Sequence, residues 1–449
     1  MPNDLPFLRA IKEYASLKAA RFHMPGHKGR LNALDVTELS GTDNLARPSG
    51  AIAGLEDECA RVFGSRDSLL SVNGSTACNI AMLLALGSGK RVLLGRGCHK
   101  SAVSGIALAG HEAAPLFPDA DGIYSAEAVS RALDESPCDA VFITSPTYRG
   151  YTSDIAAIAD ACHRHGALLL VDCAHGAHYA FSSKLPPVPK QADMWCVSCH
   201  KTLSALNQAA VLNAGETCPF DKRRLREALT AVQTTSPSYP IMLSVESAVC
   251  APGDWDGHVE RVLDFCDKLD MIHGIELLKS ECAFALDPTR LNISVSGLTG
   301  YELGRLLEEH NVYPEMSDME CVTLITAPAD RRVWYSMLYD ALKAAVQRAP
   351  EGTKADRGAA SGLSALAGER VCSVRQAVLG QKERCPLERA AGRVSACAAG
   401  VYPPGTAVLF PGERITKAAV ECLMRELDAG AELFGAEDGE ITAVSTDLE

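Results

Sequence analysis

The 449-residue sequence lacks any apolar run long enough to form a membrane helix. Its uninterrupted hydrophobic stretches fall short of the ~20 residues that cross a bilayer as a helix. The amino terminus also lacks a basic segment followed by an apolar core and a small-residue cleavage site, which together form a secretory signal. We therefore expect a cytoplasmic protein that does not associate with membranes.

Positive charge is also scarce. The chain carries 43 Lys and Arg residues against 56 Asp and Glu residues, a formal net charge of −13. Proteins that bind nucleic acid usually present a basic surface, so this balance argues against nucleic acid as the main partner. A negative field instead favours the approach of a cationic small molecule.

Several familiar site motifs are missing or incomplete. No G-x-G-x-x-G follows the first predicted strand, so no dinucleotide site is expected. The 17 cysteines are scattered, which predicts reduced and mostly buried thiols. Cys196 to His200 matches the haem-attachment pattern C-x-x-C-H, but the two cysteines would lie on opposite faces of a strand. His175 and His178, with Cys173 nearby, lack a fourth ligand at a diagnostic spacing, so no metal site is predicted.

Short apolar runs are present, and polar residues follow them closely. The runs are residues 68–72, 91–95, 167–171 and 194–197. Each is short and apolar enough for a strand that is buried on both faces. Open α/β sheets bind ligands at the carboxyl ends of such strands. Asp172 and Lys201 are therefore expected to lie at one edge of a parallel sheet.

This lysine and this aspartate match the needs of pyridoxal phosphate. The cofactor requires a lysine that binds its aldehyde and an acid that faces its ring nitrogen, because a protonated ring withdraws electrons from the substrate's α-carbon. A Gly-Ser-Thr turn at 74–76 opens a predicted helix and offers N–H groups to a phosphate. His99 follows another strand and is placed to stack on the ring. Taken singly, each residue also fits an ordinary helix cap or a solvated loop.

Longer segments form an ordered set along nearly the whole chain. They are 22–29 (FHMPGHKG), 73–76 (NGST), 98–101 (CHKS), 144–148 (TSPTY), 172–178 (DCAHGAH), 200–202 (HKT), 235–239 (TSPSY), 287–291 (DPTRL), 298–302 (LTGYE), 402–405 (YPPG) and 411–413 (PGE). With these segments the sequence resembles the ornithine/lysine/arginine decarboxylase family, in its short form without an additional amino-terminal regulatory domain.

The resemblance implies a fold and a role for each matching position. The implied fold is α/β: a fold-type-I, aspartate-aminotransferase-like large domain with a mostly parallel seven-stranded sheet, plus a smaller α+β domain and a carboxyl-terminal unit. Lys201 resembles the lysine that binds pyridoxal phosphate, Asp172 the partner of the ring nitrogen and His99 the stacking residue. The other implied cofactor-binding residues are Ser75, Thr76, Ala174, His175, Ser198, His200, Thr235 and Ser236. Because the last two resemble a segment that reaches a neighbouring subunit's phosphate, at least a homodimer is expected.

Composition and pattern divide the chain unevenly. We predict an amino-terminal segment at 1–40, a cofactor-binding large domain at 41–255, a small α+β domain at 256–350, a Gly-, Ala- and Ser-rich linker at 351–367 and a carboxyl-terminal domain at 368–449.

Two positions depart from the family pattern. Cys173 stands where the family commonly has Glu after the aspartate, and Arg149 stands where an aromatic or small residue is frequent. Both departures bear on substrate preference. Arg290 is a further, weaker candidate for orienting the substrate carboxylate.

The predicted function is decarboxylation of a basic amino acid to its amine, feeding polyamine synthesis. Arginine to agmatine is the first choice, and lysine and ornithine are alternatives. Another reaction on the same cofactor, such as transamination, also stays open. The third hypothesis is a cofactor-bound regulator without turnover.

Overall fold

The computed structural model describes residues 5–17, 19–119, 121–350, 362–402 and 405–445. The strands between residues 67 and 214 are β1 (Asp67–Ser71), β2 (Arg91–Gly95), β3 (Glu112–Leu116), β4 (Ala140–Thr144), β5 (Tyr151–Thr152), β6 (Leu168–Asp172), β7 (Met194–Ser198) and β8 (Ala210–Ala214). All of them except β5 form one seven-stranded sheet in the order β1-β8-β7-β6-β4-β2-β3. The strand β8 runs in the direction opposite to the other six strands of this sheet, which all run in the same direction. The predicted mostly parallel seven-stranded sheet is confirmed.

Both faces of this sheet are buried, which explains its near-continuous apolar strands. Along β6, Leu169 and Val171 belong to one hydrophobic cluster, and Leu170 belongs to another. Successive side chains point to opposite faces of a strand, so the two clusters lie on the two faces of the sheet.

Helices cover both faces. They are α1 (Pro6–Ser16), α2 (Ala51–Phe63), α3 (Gly74–Ala85), α4 (Lys100–Ala109), α5 (Ala126–Glu135), α6 (Ile155–Arg164), α7 (Cys199–Thr202), α8 (Lys222–Thr230) and α9 (Tyr239–Cys250), with a 3-10 turn at Ala177–Phe181. Phe7 and Ile11 of α1 are buried in the cluster that also contains Trp195 of β7. The start of the chain therefore packs on the large domain.

The next unit is a four-stranded antiparallel sheet with helices. Its elements are α10 (Trp255–Asp270), β9 (Ile275–Leu277), β10 (Ala285–Leu286), β11 (Arg290–Val295), α11 (Gly300–Glu309), β12 (Met316–Ser317), β13 (Val322–Ile325) and α12 (Arg332–Arg348). The strand order is β12-β13-β11-β9, and β10 pairs with β5 of the large domain. Thr299 and Glu302 form a capping box that starts α11.

The carboxyl-terminal part holds two three-stranded antiparallel sheets. Its elements are α13 (Leu363–Leu366), α14 (Val374–Leu379), β14 (Lys382–Pro386), β15 (Ala399–Tyr402), β16 (Thr406–Leu409), α15 (Lys417–Asp428), β17 (Glu432–Phe434), β18 (Ala436–Glu437) and β19 (Glu440–Val444), with a 3-10 turn at Leu387–Arg389. The side chain of Arg96 forms a buried ion pair with Glu413, 2.7 Å apart, which ties this part to the large domain.

Part of the predicted linker is packed. Leu366 of α13 is buried in the carboxyl-terminal cluster, whereas residues 351–361 of that linker lie outside the described residues. The domain boundaries stay predictions. Within the described ranges, no helix has both the length and the apolar character needed to cross a bilayer.

Candidate functional site

A cavity of about 970 Å³ opens at the carboxyl ends of the parallel strands. Thr144 ends β4, Asp172 ends β6, and Lys201 lies in α7 directly after β7; all three line this cavity. The cavity also brings together these other predicted site residues: Ser75, Thr76, His99, Ala174, His175 and His200. The sequence argument about strand ends therefore located the cavity.

The carboxylate of Asp172 is held in place from two sides. The side chain is only 3% exposed. Its Oδ2 accepts a hydrogen bond from Asn79 Nδ2 at 2.7 Å, and its Oδ1 accepts one from the Ala174 N–H at 3.0 Å. Sequence reasoning missed Asn79. The available signal was its position on α3, four residues after Ser75 and so on the same helix face.

The side chain of Lys201 lies half-buried in the cavity. Burial lowers the pKa of its amine, although the charge of Asp172 opposes the shift. A lower pKa increases the unprotonated fraction, which is the form that attacks an aldehyde. Its Nζ lies 3.0 Å from Nε2 of His175.

The side chain of Arg290 contacts His175 and does not reach the cavity. The Arg290 side chain is fully buried, and its Nη2 lies 3.3 Å from His175 Nδ1. A guanidinium only donates, so Nδ1 of His175 accepts. The ring proton therefore lies on Nε2, the nitrogen that faces Lys201. Burial, together with the charges of Lys201 and Arg290, lowers the pKa of His175 well below its ordinary value. Arg290 does not line the cavity, so its predicted contact with a substrate carboxylate is not supported.

The first turn of α3 forms the other end of the site. Ser75 and Thr76 lie in this turn. The side chain of Asn73, at the N-cap, does not cap the helix; its Oδ1 accepts a hydrogen bond from the Thr234 N–H at 3.1 Å. N–H groups at a helix start of this kind favour an anion. The imidazole Nδ1 of His200 lies 3.1 Å from the Ala209 carbonyl and donates to it.

Three predicted site residues do not line the cavity in the single chain. Ser198 is fully buried at the end of β7, beside Asp172's strand. Thr235 and Ser236 are exposed, directly after the Thr234 that contacts the α3 N-terminus. Their predicted contact with a neighbouring subunit's phosphate stays a prediction.

The residues present fit pyridoxal phosphate. The hydroxyls of Thr144 and Ser198 are buried and have no hydrogen-bond partner among the described residues. Thr144 lines the cavity beside Asp172 and Lys201. One carboxylate, one amine of lowered pKa and one helix N-terminus thus face one space, and they match a ring nitrogen, an aldehyde and a phosphate. No group of three or more His, Cys, Asp or Glu side chains in the described part of the chain is arranged to hold a metal ion.

The small domain contributes an acidic wall that sequence reasoning did not find. Glu315, Asp318 and Glu320 lie on or beside the β12–β13 hairpin and line the cavity. Arg149 donates to Asp318 Oδ2 at 2.6 Å and to Glu320 Oε2 at 2.7 Å. Glu315 instead accepts a hydrogen bond from the phenol of Tyr148, a neutral group. No sequence motif indicated these acids, since only the hairpin's docking brings them near Lys201.

Cys173, the other departure from the family pattern, points away from the main cavity. Its side chain is buried and lines a separate cavity of about 150 Å³. Burial raises the pKa of this thiol. The replacement of the family's Glu by Cys173 therefore does not change a group that lines the main cavity.

Similarity to known proteins extends over nearly the whole chain. A family model described as Orn/Lys/Arg decarboxylase, major domain, matches residues 29–267, and one described as Orn/Lys/Arg decarboxylase, C-terminal domain, matches residues 362–436. The arginine decarboxylase of Bacillus subtilis (strain 168) is 32% identical, over 97% of this chain and 96% of that protein.

Solved structures share the architecture. The constitutive lysine decarboxylase of E. coli superposes with a TM-score of 0.81 at 20% identity, covering 98% of this chain and 82% of that one. An alanine–glyoxylate aminotransferase from Nostoc sp. gives a TM-score of 0.53 at 16% identity, covering 75% and 91%. At these identities the likeness concerns the fold, and it confirms the predicted fold-type-I architecture.

Proposed function

Because this chain belongs to the ornithine/lysine/arginine decarboxylase family and is a pyridoxal phosphate-dependent amino-acid decarboxylase, we propose that it converts L-arginine to agmatine. Arginine is the first choice because the Bacillus subtilis relative that matches over 97% of this chain is named an arginine decarboxylase. Lysine and ornithine, which the family description includes, are the alternatives. The proposed physiological role is supply of an amine for polyamine synthesis.

The observation that carries this proposal is the pairing of Lys201 and Asp172 with an acidic wall in one cavity. Pyridoxal phosphate, when bound, withdraws electrons from the bond between the substrate's α-carbon and its carboxylate. In the proposal Lys201 binds the cofactor aldehyde and Asp172 faces the ring nitrogen. Ser75 and Thr76, at the start of α3, bind the phosphate.

Orientation of the substrate decides which bond breaks. The residues that line the cavity would have to hold the substrate so that the bond between its α-carbon and its carboxylate is the one that breaks. Lys201 and the Nε2–H of His175, 3.0 Å apart, are the proposed groups that return a proton to the α-carbon. His99 is proposed to stack on the ring, and Ala174 to pack under it.

Glu315 is the proposed partner of the substrate's distal cation. Asp318 and Glu320 already bind Arg149, and Asp318 Oδ1 also accepts the N–H groups of Glu320 and Cys321 at 2.8 and 2.9 Å. The Tyr148 phenol is neutral, so it brings no positive charge to Glu315. A guanidinium or ammonium group supplies the missing charge.

Separate incubations with arginine, lysine and ornithine test the proposal. We expect carbon dioxide release and agmatine as the main amine. Putrescine alone would indicate that ornithine is the substrate, and cadaverine alone would indicate lysine. No amine from any of the three would contradict the proposal. Amino-group exchange with an added keto acid, without carbon dioxide, would indicate transamination instead.

The proposal also includes the assembly and the cellular location. We propose a homodimer, in which the exposed Thr235 and Ser236 bind the partner's cofactor phosphate, and a cytoplasmic location. Sedimentation velocity with and without pyridoxal phosphate tests the dimer. A monomer at micromolar concentration with full activity would contradict it.

A further inference from the structure

A buried polar chain connects Asp172 with His99 on the sheet side of the cavity. Asn79 Nδ2 lies 2.7 Å from Asp172 Oδ2 and 3.0 Å from Ser101 Oγ. Ser101 Oγ lies 2.8 Å from His99 Nδ1. Asn79 and Ser101 are at most 2% exposed, and neither lines the cavity. Three side-chain contacts therefore join two cavity residues through two residues behind them.

The direction of each hydrogen bond in this chain follows from donor chemistry. The Ser101 backbone N–H lies 3.2 Å from His99 Nδ1 and only donates, so Nδ1 accepts. The Ser101 hydroxyl then donates to the same Nδ1, which leaves its oxygen to accept from Asn79. The proton of the neutral His99 ring must lie on Nε2. Burial lowers the pKa of His99, and Lys201 and Lys100 add to this effect while Asp172 opposes it.

The orientation of the Asn79 amide is fixed at its other end. The thiol of Cys196 lies 3.1 Å from Asn79 Oδ1 and 3.6 Å from Asp172 Oδ1. With Oδ1 accepting from this thiol, both N–H bonds of the amide are directed to Asp172 and Ser101. A flipped amide would set its oxygen against the Asp172 carboxylate and would lose both bonds, so the native orientation is strongly favoured.

We propose that Asn79 and Ser101 are positioning residues, which hold the Asp172 carboxylate and the Nε2–H tautomer of His99 together through one directed hydrogen-bond chain. The inference rests on the proposed function only in that Asp172 and His99 face pyridoxal phosphate. It adds that the contacts of Asp172 and His99 with the cofactor are coupled. The Asn79 amide is held in the orientation that donates to Asp172 only while Ser101 accepts its second N–H.

Cofactor affinity and the visible absorption band of the reconstituted protein test the coupling. Asn79→Leu removes a hydrogen bond to a charged group, and Ser101→Ala removes neutral ones. We expect about tenfold and about threefold weaker pyridoxal phosphate binding, respectively, with a shifted pH midpoint of the band. The double variant should lose less than the product of the single losses, because both substitutions break one chain.

Matched controls lie close by. Asn213→Leu changes a buried asparagine on β8 of the same sheet that does not line the cavity. Ser104→Ala changes an exposed serine one turn further along α4, which donates only to the Lys100 carbonyl. Both controls should keep the wild-type affinity and band. If Asn79→Leu does not fold, Asn79→Ala replaces it.

A readout without cofactor separates this inference from the proposed function. Ring nitrogen shifts of protein labelled with 15N-histidine, with His99 assigned through His99→Gln, should show a protonated Nε2 and a hydrogen-bonded Nδ1 in the wild type. In Ser101→Ala the backbone N–H of residue 101 still donates to Nδ1, so Nε2 should stay protonated, while the Nδ1 shift should move because the hydroxyl no longer donates to it. A wild-type protein that makes no amine would contradict the proposed function alone. An Nδ1 shift in Ser101→Ala equal to that of the wild type, or strictly multiplicative losses in the double variant, would overturn the inference.

Discussion

The two sides of the cavity are built in different ways. On the sheet side, Asp172 ends one parallel strand and Lys201 follows the adjacent one. Asn79 donates to Asp172, and Lys201 contacts His175, which Arg290 contacts in turn. On the hairpin side, the acids lie around strands of two and four residues. Their partners, Tyr148 and Arg149, come from the large domain. The sheet side is thus formed mainly within the large domain. The hairpin side forms only where the small domain meets the large domain.

This difference separates chemistry from selectivity. Strand pairing and burial fix the sheet side, so a substitution there should alter the rate of the chemical step. The hairpin side is bound by ion pairs and one phenol, so a substitution there should alter which substrate binds.

Lys201→Ala should cause the largest loss on the sheet side. We expect kcat to fall by at least about 10³-fold, which corresponds to roughly 4 kcal/mol of activation free energy. The reason is that the amine that binds the cofactor is removed. Borohydride treatment followed by peptide mapping should label residue 201 in the wild type and nothing in the variant. Lys190→Ala, an exposed lysine outside the cavity, is the control. A labelled Lys201→Ala protein would disprove the assignment.

Asp172→Asn should come second. The amide keeps the shape of the carboxylate but loses the charge that faces the ring nitrogen, and we expect kcat to fall by about 10²-fold. Because the charge acts on the chemical step, KM should change less than kcat. Steady-state kinetics and a thermal melt distinguish this from unfolding. Unchanged kcat with a normal melting temperature would show that Asp172 does not face the reacting ring.

Glu315→Gln should affect selectivity on the hairpin side. Removing one charge from the proposed cation partner should raise KM for the basic substrate by about 10-fold or more, with a smaller change in kcat. Asp318→Asn on the same hairpin is the matched control, because its carboxylate already binds Arg149. That control should lower the melting temperature more than it changes KM. The reverse pattern would make Asp318 the cation partner.

The smallest effect concerns stability and pH. Burial lowers the pKa of His111, outside the cavity, and of His175 inside it, so both rings take up a proton less readily in the folded state than in the unfolded state. The unfolded imidazole keeps its ordinary pKa near 6.5 and takes up a proton below that pH. Since the unfolded state then binds more protons, the free energy of unfolding should fall as the pH decreases from about 7.5 to 5.5.

His111→Gln tests this contribution without touching the cavity. The His111 ring accepts from the Lys90 N–H and donates to the Leu83 carbonyl. Urea unfolding at both pH values should show a smaller decrease in the variant than in the wild type. An identical decrease would mean that His111 adds nothing to the pH dependence.

The elements that the sequence predicted best are those with strictly local causes. The runs before Asp172 and Ser198 became β6 and β7 because each is apolar on every residue, as a strand buried on both faces must be. The predicted helix that the turn at 74–76 opens is α3, and this turn is already part of the helix, which starts at Gly74. The family motifs added the roles of Lys201 and His99, which spacing alone leaves open.

Long-range partners could not be read in this way. Asn79 is separated from Asp172 by 93 residues and Arg290 from His175 by 115. Neither separation leaves a periodic trace in the sequence. Arg290, the weaker candidate for orienting the substrate carboxylate, is the first residue of β11 and lies fully buried against His175.

Local sequence was enough to predict the α/β class, the polar positions of Lys201 and Asp172 after apolar runs, and the Gly-Ser-Thr turn at 74–76, because apolar periodicity and turn chemistry are local properties. The acidic wall opposite them and the polar chain behind Asp172 form only when the chain folds. Both depend on side chains from segments that are distant in the sequence. Interactions between neighbouring residues do not bring those segments together, so they meet only when the hydrophobic cores pack.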